Sequence, residues 1–160
     1  MAAAFTIVWI ILLALIVVVV AGLWKVYEKA GQEGWKCLIP IYNAVVLLKI
    51  VGKPIWWVWL MVVPFIISAM LTMAGPALAL FAFALNIVGY VYAIWTCNML
   101  SKSFGKSEGF TAGIFFLGFI FIPILGFGDA KYLGPFGDKA AFAAYNKDNR
   151  FDFEDNKFAN

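Results

Sequence analysis

Histidine is absent from all 160 residues. With it go the commonest general base, the commonest protein metal ligand and the usual haem ligand. Cysteine is limited to Cys37 and Cys97. They lie far apart in the chain and outside any C-x-x-C pattern, so neither a metal site nor a disulfide is expected. Charge is scarce: 13% of positions are charged and 64% are hydrophobic, where a soluble domain carries about a quarter charged. Such a chain would expose too much apolar surface in water. The composition therefore points to an integral membrane protein with one membrane domain.

What remains is organised in long apolar runs. A bilayer core of about 30 Å takes roughly 20 apolar residues in a helix. Four runs meet that need: Phe5–Trp24, Ile55–Met73, Pro76–Leu100 and Thr111–Phe127. The last is shorter and expected to be kinked or broken at Pro123. None alternates as a membrane β-strand would. The expected fold is all-α, with about four transmembrane helices. The first run has no basic residues before it and exceeds a signal-peptide core in length, so it reads as an uncleaved signal anchor. Composition separates a membrane domain over 1–127 from a polar tail over 128–160.

Basic residues in short loops mark the cytoplasmic side. Lys25, Lys29, Lys36, Lys49 and Lys53 precede the second run, and Lys102 and Lys106 follow the third. Four crossings with the N-terminus outside place all seven lysines in the cytoplasm and the tail outside. A fifth crossing through 35–51 is the alternative. It returns the tail to the cytoplasm but strands four of those lysines outside.

Between the first two runs lies a half-apolar, lysine-studded insert. Pro40 suits a helix start, and Gly52–Lys53–Pro54 a stop. On a helical wheel Tyr42, Lys49 and Lys53 share one arc, while Leu38, Ile41, Val45 and Leu48 occupy another. This is the pattern of an amphipathic interfacial or re-entrant helix, with lysines reaching lipid phosphates and Trp35, Trp56, Trp57 and Trp59 as an aromatic belt. Membrane lipid is thus an expected partner, and Tyr42 and Lys49 are candidate partner contacts.

The stretch "WKVYEKAGQEGWKCLIPIYNAVVLLKIVGKPIWW" resembles the core motif of an uncharacterised bacterial family of small integral membrane proteins, often labelled signal peptidase I. A similar module precedes the catalytic region of Bacteroidetes-type signal peptidases. "SFGKSEGF" (Ser103–Phe110) and "LGFGDAKYLGP" (Leu125–Pro135) resemble later motifs of that family. The stretch Ser68–Tyr90 is longer than the family's usual one. The fused peptidases imply a cytoplasmic end for the module, opposite to the four-crossing count. The resemblance implies a bacterial inner membrane and a link to protein export or signal-peptide processing.

Signal peptidase chemistry needs a serine nucleophile beside a lysine base in an extracytoplasmic domain. Ser101–Lys102–Ser103 is the one tempting cluster, and it falls on the expected cytoplasmic end of the third run. It reads as a solvated helix end, and no catalytic residue is expected. No span carries an ionisable residue near its centre, as a transporter would. Asn86, Gly89, Tyr90, Ala93, Cys97 and Ser101 do form a small and polar stripe, suited to helix packing or to a partner helix. In the tail, Phe151, Phe153 and Phe158 stand among acidic residues in a segment unable to form a core of its own. They are expected to dock on protein. The expectation is a non-catalytic inner-membrane subunit or scaffold of a larger assembly, without cofactor or nucleic acid, joined to other subunits or to copies of itself. A small channel or transporter is the alternative.

Overall fold

In hydrocarbon a backbone amide has no water to bond, so an apolar run satisfies its own groups by forming a helix. A computed structural model describes the backbone from Ala2 to Asp155 and the side chains from Phe5 to Lys147. The helices are α1 (Ala2–Lys29), α2 (Pro40–Val51), α3 (Trp57–Ala74), α4 (Ala79–Ser103), α5 (Glu108–Phe127) and α6 (Lys139–Asp155), with short 3-10 turns at Gly34–Leu38 and Pro76–Leu78. No strand occurs among the described residues. Helices α1, α3, α4 and α5 are long and apolar enough to cross a membrane. The chain is an all-helical, multi-pass membrane protein.

Helices α3 and α4 form an antiparallel pair. Gly75, at φ 148°, and Pro76 turn the chain between them. Gly89 lets the Phe65 ring lie against α4, for a Cβ there would come within 2.7 Å of it. Asn86 donates from Nδ2 to the Ser68 hydroxyl at 2.7 Å. The stripe on α4 is thus largely taken up by packing within the bundle.

Helix α5 does not run straight. Leu117 has φ −128° and ψ 41°, outside the helical region. In an unbroken helix residues 110 and 121 would lie about 16 Å apart along the axis, yet the Phe110 and Phe121 rings are 5.0 Å apart. Gly113 leaves room for the same Phe121 ring. The two arms therefore form a hairpin. Both ends lie on one face: Glu108 pairs with Lys102 at 3.1 Å, and the Lys29 ammonium, at the end of α1, reaches Leu125 O and Gly128 O at 2.9 and 2.5 Å. The break expected at Pro123 falls instead at Leu117. Pro123 sits inside the returning arm, where it packs on Gly22 of α1.

Four helices are long and apolar enough to cross a membrane, as expected, but the hairpin brings both ends of α5 to one face of the molecule. Three helices run from face to face, and α5 enters and leaves by the face that holds the lysines. The chain after Phe127 stays on that face instead of emerging opposite. The lysine count behind the four-crossing reading survives, because an even final pass changes only the side of the tail. An arm of nine or ten residues rises about 14 Å, roughly half of a 30 Å core. Every side chain from Phe5 to Val18 on α1 is exposed.

The core also sits at the lysine-bearing end. Val26, Tyr27, Val46, Leu48, Ile50, Val51, Met99, Leu100, Phe104 and Leu125 are all buried. Helix α2 starts at Pro40 and stops at Gly52, whose φ of 77° closes the last turn. It does not lie flat along its whole length. Its C-terminal half is enclosed, with Leu48 and Val51 fully buried, while Leu38 and Ile41 stay exposed. The arc Leu38–Ile41–Val45–Leu48 is split, because the chain after α5 folds over the end of α2.

Candidate functional site

Three segments meet on the lysine-bearing face: the α1–α2 insert, the α4–α5 turn and the chain after α5. Tyr27, with no exposed surface, donates its hydroxyl to Asn43 O at 2.9 Å and also meets Asn43 Oδ1. Tyr132 donates to Ile50 O at 2.5 Å. Gly137 N donates to Val51 O at 2.7 Å, and Leu133 N to Ser103 O at 2.7 Å. These bonds close the cap. Residues 128–137, grouped with the tail by composition, are folded into it. Burial, and next the neighbouring Tyr145, push the Tyr132 phenol up to about 12.

Lys29 caps the returning arm of α5. The last carbonyls of a helix lack partners and carry partial negative charge, so an ammonium there satisfies both needs. Lys29→Met is expected to lower the unfolding free energy by about 2 kcal/mol, since bonds to charged groups are each worth about 1.5–3 kcal/mol and water can replace part of them. Thermal unfolding in mild detergent measures it. An unchanged midpoint would remove Lys29 as the anchor of the hairpin.

The Ser101–Lys102–Ser103 cluster is occupied. Ser101 and Ser103 have no exposed surface. Ser101 Oγ donates to Ser107 O at 3.0 Å, and Ser103 Oγ accepts from Phe136 N at 3.1 Å. Lys102 is held by Glu108. The two serine hydroxyls thus support backbone of the cap. Burial pushes the Cys37 thiol up from its ordinary range, away from the thiolate that metal binding needs. No group of His, Cys, Asp or Glu able to hold a metal occurs among the described residues.

The expected partner contacts lie in different places. Tyr42 and Lys49 are exposed on α2. The Tyr42 ring stacks on Trp35 at 6.1 Å and receives Lys36 at 5.9 Å. Asn86 spends its amide on Ser68 and Ala82 O. Tyr90 is half exposed and meets the rings of Phe65 and Phe115 at 5.3 and 6.5 Å. Phe151, Phe153 and Phe158 lie outside the residues whose side chains are described.

One feature was not anticipated from sequence. Beside the cap, Lys53, Trp95, Asn98, Lys102, Phe136 and Lys139 line a hollow of about 270 Å³. Its lysines come from three segments spread over 86 positions of chain (139 minus 53), so no local motif announces it. The only sequence signal is that each lysine stands at the end or start of a helix on the same face.

The model of a family of unknown function, DUF5684, matches residues 35–80 and 66–135. No curated protein and no solved structure gives a match. The two matched pieces overlap over residues 66–80, the second half of α3 and the turn into α4, mostly within the stretch that is long by the sequence motif. The matched residues take in α2, both α5 arms and most of the cap. Matched over more than half of its length, the chain belongs to the DUF5684 family, a family of unknown function.

Proposed function

We propose that the protein is a non-catalytic subunit or scaffold of a larger membrane assembly, in which a neighbouring helix covers the tip of the α5 hairpin. The observation that carries this reading is the tip itself. Leu117 breaks the helix midway along an apolar run long enough to cross a membrane. Phe116 and Leu117 are 77% and 43% exposed there. Irregular backbone is not left bare to lipid; it is covered by protein or lines a water-filled cavity. The unaccompanied half of α1, Phe5–Val18, stands beside the same space, since α1 packs on α5 and has no packed seam with α3 or α4. Another subunit, or a second copy, fits between them.

The engaged hydroxyls of Ser101 and Ser103 support the absence of catalysis. The lysine-bearing face is placed in the cytoplasm by the positive-inside rule, and the membrane is taken as the bacterial inner membrane. A link to protein export rests on the motif resemblance alone and is associational. Tyr42 with Lys49, the Asn86–Tyr90 face and the tail phenylalanines are further contact surfaces in this reading. A channel or transporter is favoured by one feature, the re-entrant hairpin, which in channels lines an aqueous path. Between Glu108 and Phe127 only Thr111 is polar, and so apolar a lining suits protein contact better than water.

The test is photo-crosslinking in native membranes, with a benzophenone side chain in place of Phe116 and, as control, in place of Leu80. Leu80 is 81% exposed on α4, away from the hairpin. The 116 variant is expected to give one defined protein adduct, identified by mass spectrometry, and the 80 variant none. If both give only lipid adducts and the protein purifies alone, the subunit reading fails.

A further inference from the structure

The hollow beside the cap has the chemistry of a phosphate site at a membrane surface. Its cations are Lys53, Lys102 and Lys139. Lys53 lies 4.9 Å over the Trp57 ring. Lys102 lies 5.5 Å over Phe136 and pairs with Glu108 at 3.1 Å. Among the described residues neither Lys53 nor Lys139 has a carboxylate within ion-pair reach. The nearby Asp138 carboxylate is turned to the start of α6, accepting from Ala140 N and Ala141 N at 3.0 and 3.1 Å. Asn98 adds an amide to the wall. Two of the three ammonium groups around one concavity thus have no carboxylate partner among the described residues.

Just below the lysines the wall becomes aromatic, then aliphatic. Trp57 and Trp95 pack 5.5 Å apart, and Tyr92 joins them. Such residues settle at the headgroup level of a bilayer. Along α4, Trp95, Val91 and Val88 follow at helical spacing and are 51%, 52% and 43% exposed. A cationic concavity above an aromatic belt and an apolar strip fits a molecule with an anionic head and acyl chains. A free anion would leave the strip unused.

We propose that this hollow binds the phosphate headgroup of one anionic phospholipid, with Lys53 and Lys139 as its charge contacts, Asn98 as a hydrogen-bond partner and the Trp95–Val88 strip along its acyl chain. Basic concavities between transmembrane helices on the cytoplasmic side are suited to such headgroups, and each lysine near the surface strengthens the attraction. The proposal does not depend on the subunit reading.

The experiment is native mass spectrometry of the full chain in mild detergent, titrated with phosphatidylglycerol or phosphatidylcholine, with inorganic phosphate as competitor. One phosphatidylglycerol should be retained in preference to phosphatidylcholine. K53Q/K139Q should weaken it by about 10- to 30-fold. K53R/K139R should restore it. K25Q/K36Q removes the same charge from the same face outside the hollow and should leave binding unchanged. Equal losses in the two glutamine pairs would mean diffuse surface attraction and overturn the proposal. So would a lack of preference for phosphatidylglycerol. Displacement by inorganic phosphate would make it a free-anion site and equally exclude the lipid.

Discussion

Tyr27→Ala is expected to lower the unfolding free energy by about 3–5 kcal/mol, the range for truncating a fully buried aromatic ring. Tyr27 has no exposed surface, and its hydroxyl bonds the Asn43 backbone at 2.9 Å. It joins the end of α1 to α2 across the centre of the cap. The cap lies at the lysine-bearing end, where water is available to the unfolded chain. The hydrophobic effect therefore operates there, as it does not between helices within lipid. Removing the ring leaves a cavity in the buried core at this end of the molecule and takes away the hydroxyl that bonds the Asn43 backbone. Tyr27→Phe keeps the ring and should cost only about 1–2 kcal/mol, the loss of one buried bond. Thermal unfolding in mild detergent separates the two. Equal, small shifts for both would mean that the cap is not where the stability resides.

The same location explains why the fold is built as it is. Between transmembrane helices contact comes from close approach, as where Gly126 of α5 meets the Gly22 backbone of α1. At the cap it comes from burial and from bonds that tie three distant segments together. The segments that carry the sequence motifs are the ones that make these bonds. Ser103 and Tyr132 serve there as fasteners for Phe136 and Ile50.

Much of this was legible in the sequence. The apolar runs gave four helices of membrane-crossing length within a few residues of their ends, because length and composition decide them. Pro40 and Gly52 marked α2, since each has a fixed backbone consequence. The hairpin in α5 was not legible. Pro123 is the visible helix breaker, but a proline in a membrane helix is accommodated by neighbours, and here the returning arm carries it beside Gly22. The turn falls instead at Leu117, in a run of uniformly apolar residues that signals nothing. It is imposed by tertiary packing: Gly113 admits the Phe121 ring, and Lys29 holds the far end. The side of the tail depends on that same turn, which the charge count could not see. The basic hollow was invisible because its three lysines are assembled by the fold.

The central claim is that α5 returns to the face it leaves, so that residues on either side of it share a compartment. Single cysteines at positions 36, 73 and 147, in a background with Cys37→Ser and Cys97→Ser, test it most directly. All three sites are at least partly exposed, with Met73 at the turn on the opposite face. Intact cells are treated with a membrane-impermeant maleimide, and permeabilised cells serve as the control. The account predicts that Lys36→Cys and Lys147→Cys are both protected until permeabilisation, while Met73→Cys is labelled at once. Labelling of Lys147→Cys in intact cells with Lys36→Cys still protected would mean that α5 crosses the membrane, and would contradict the hairpin.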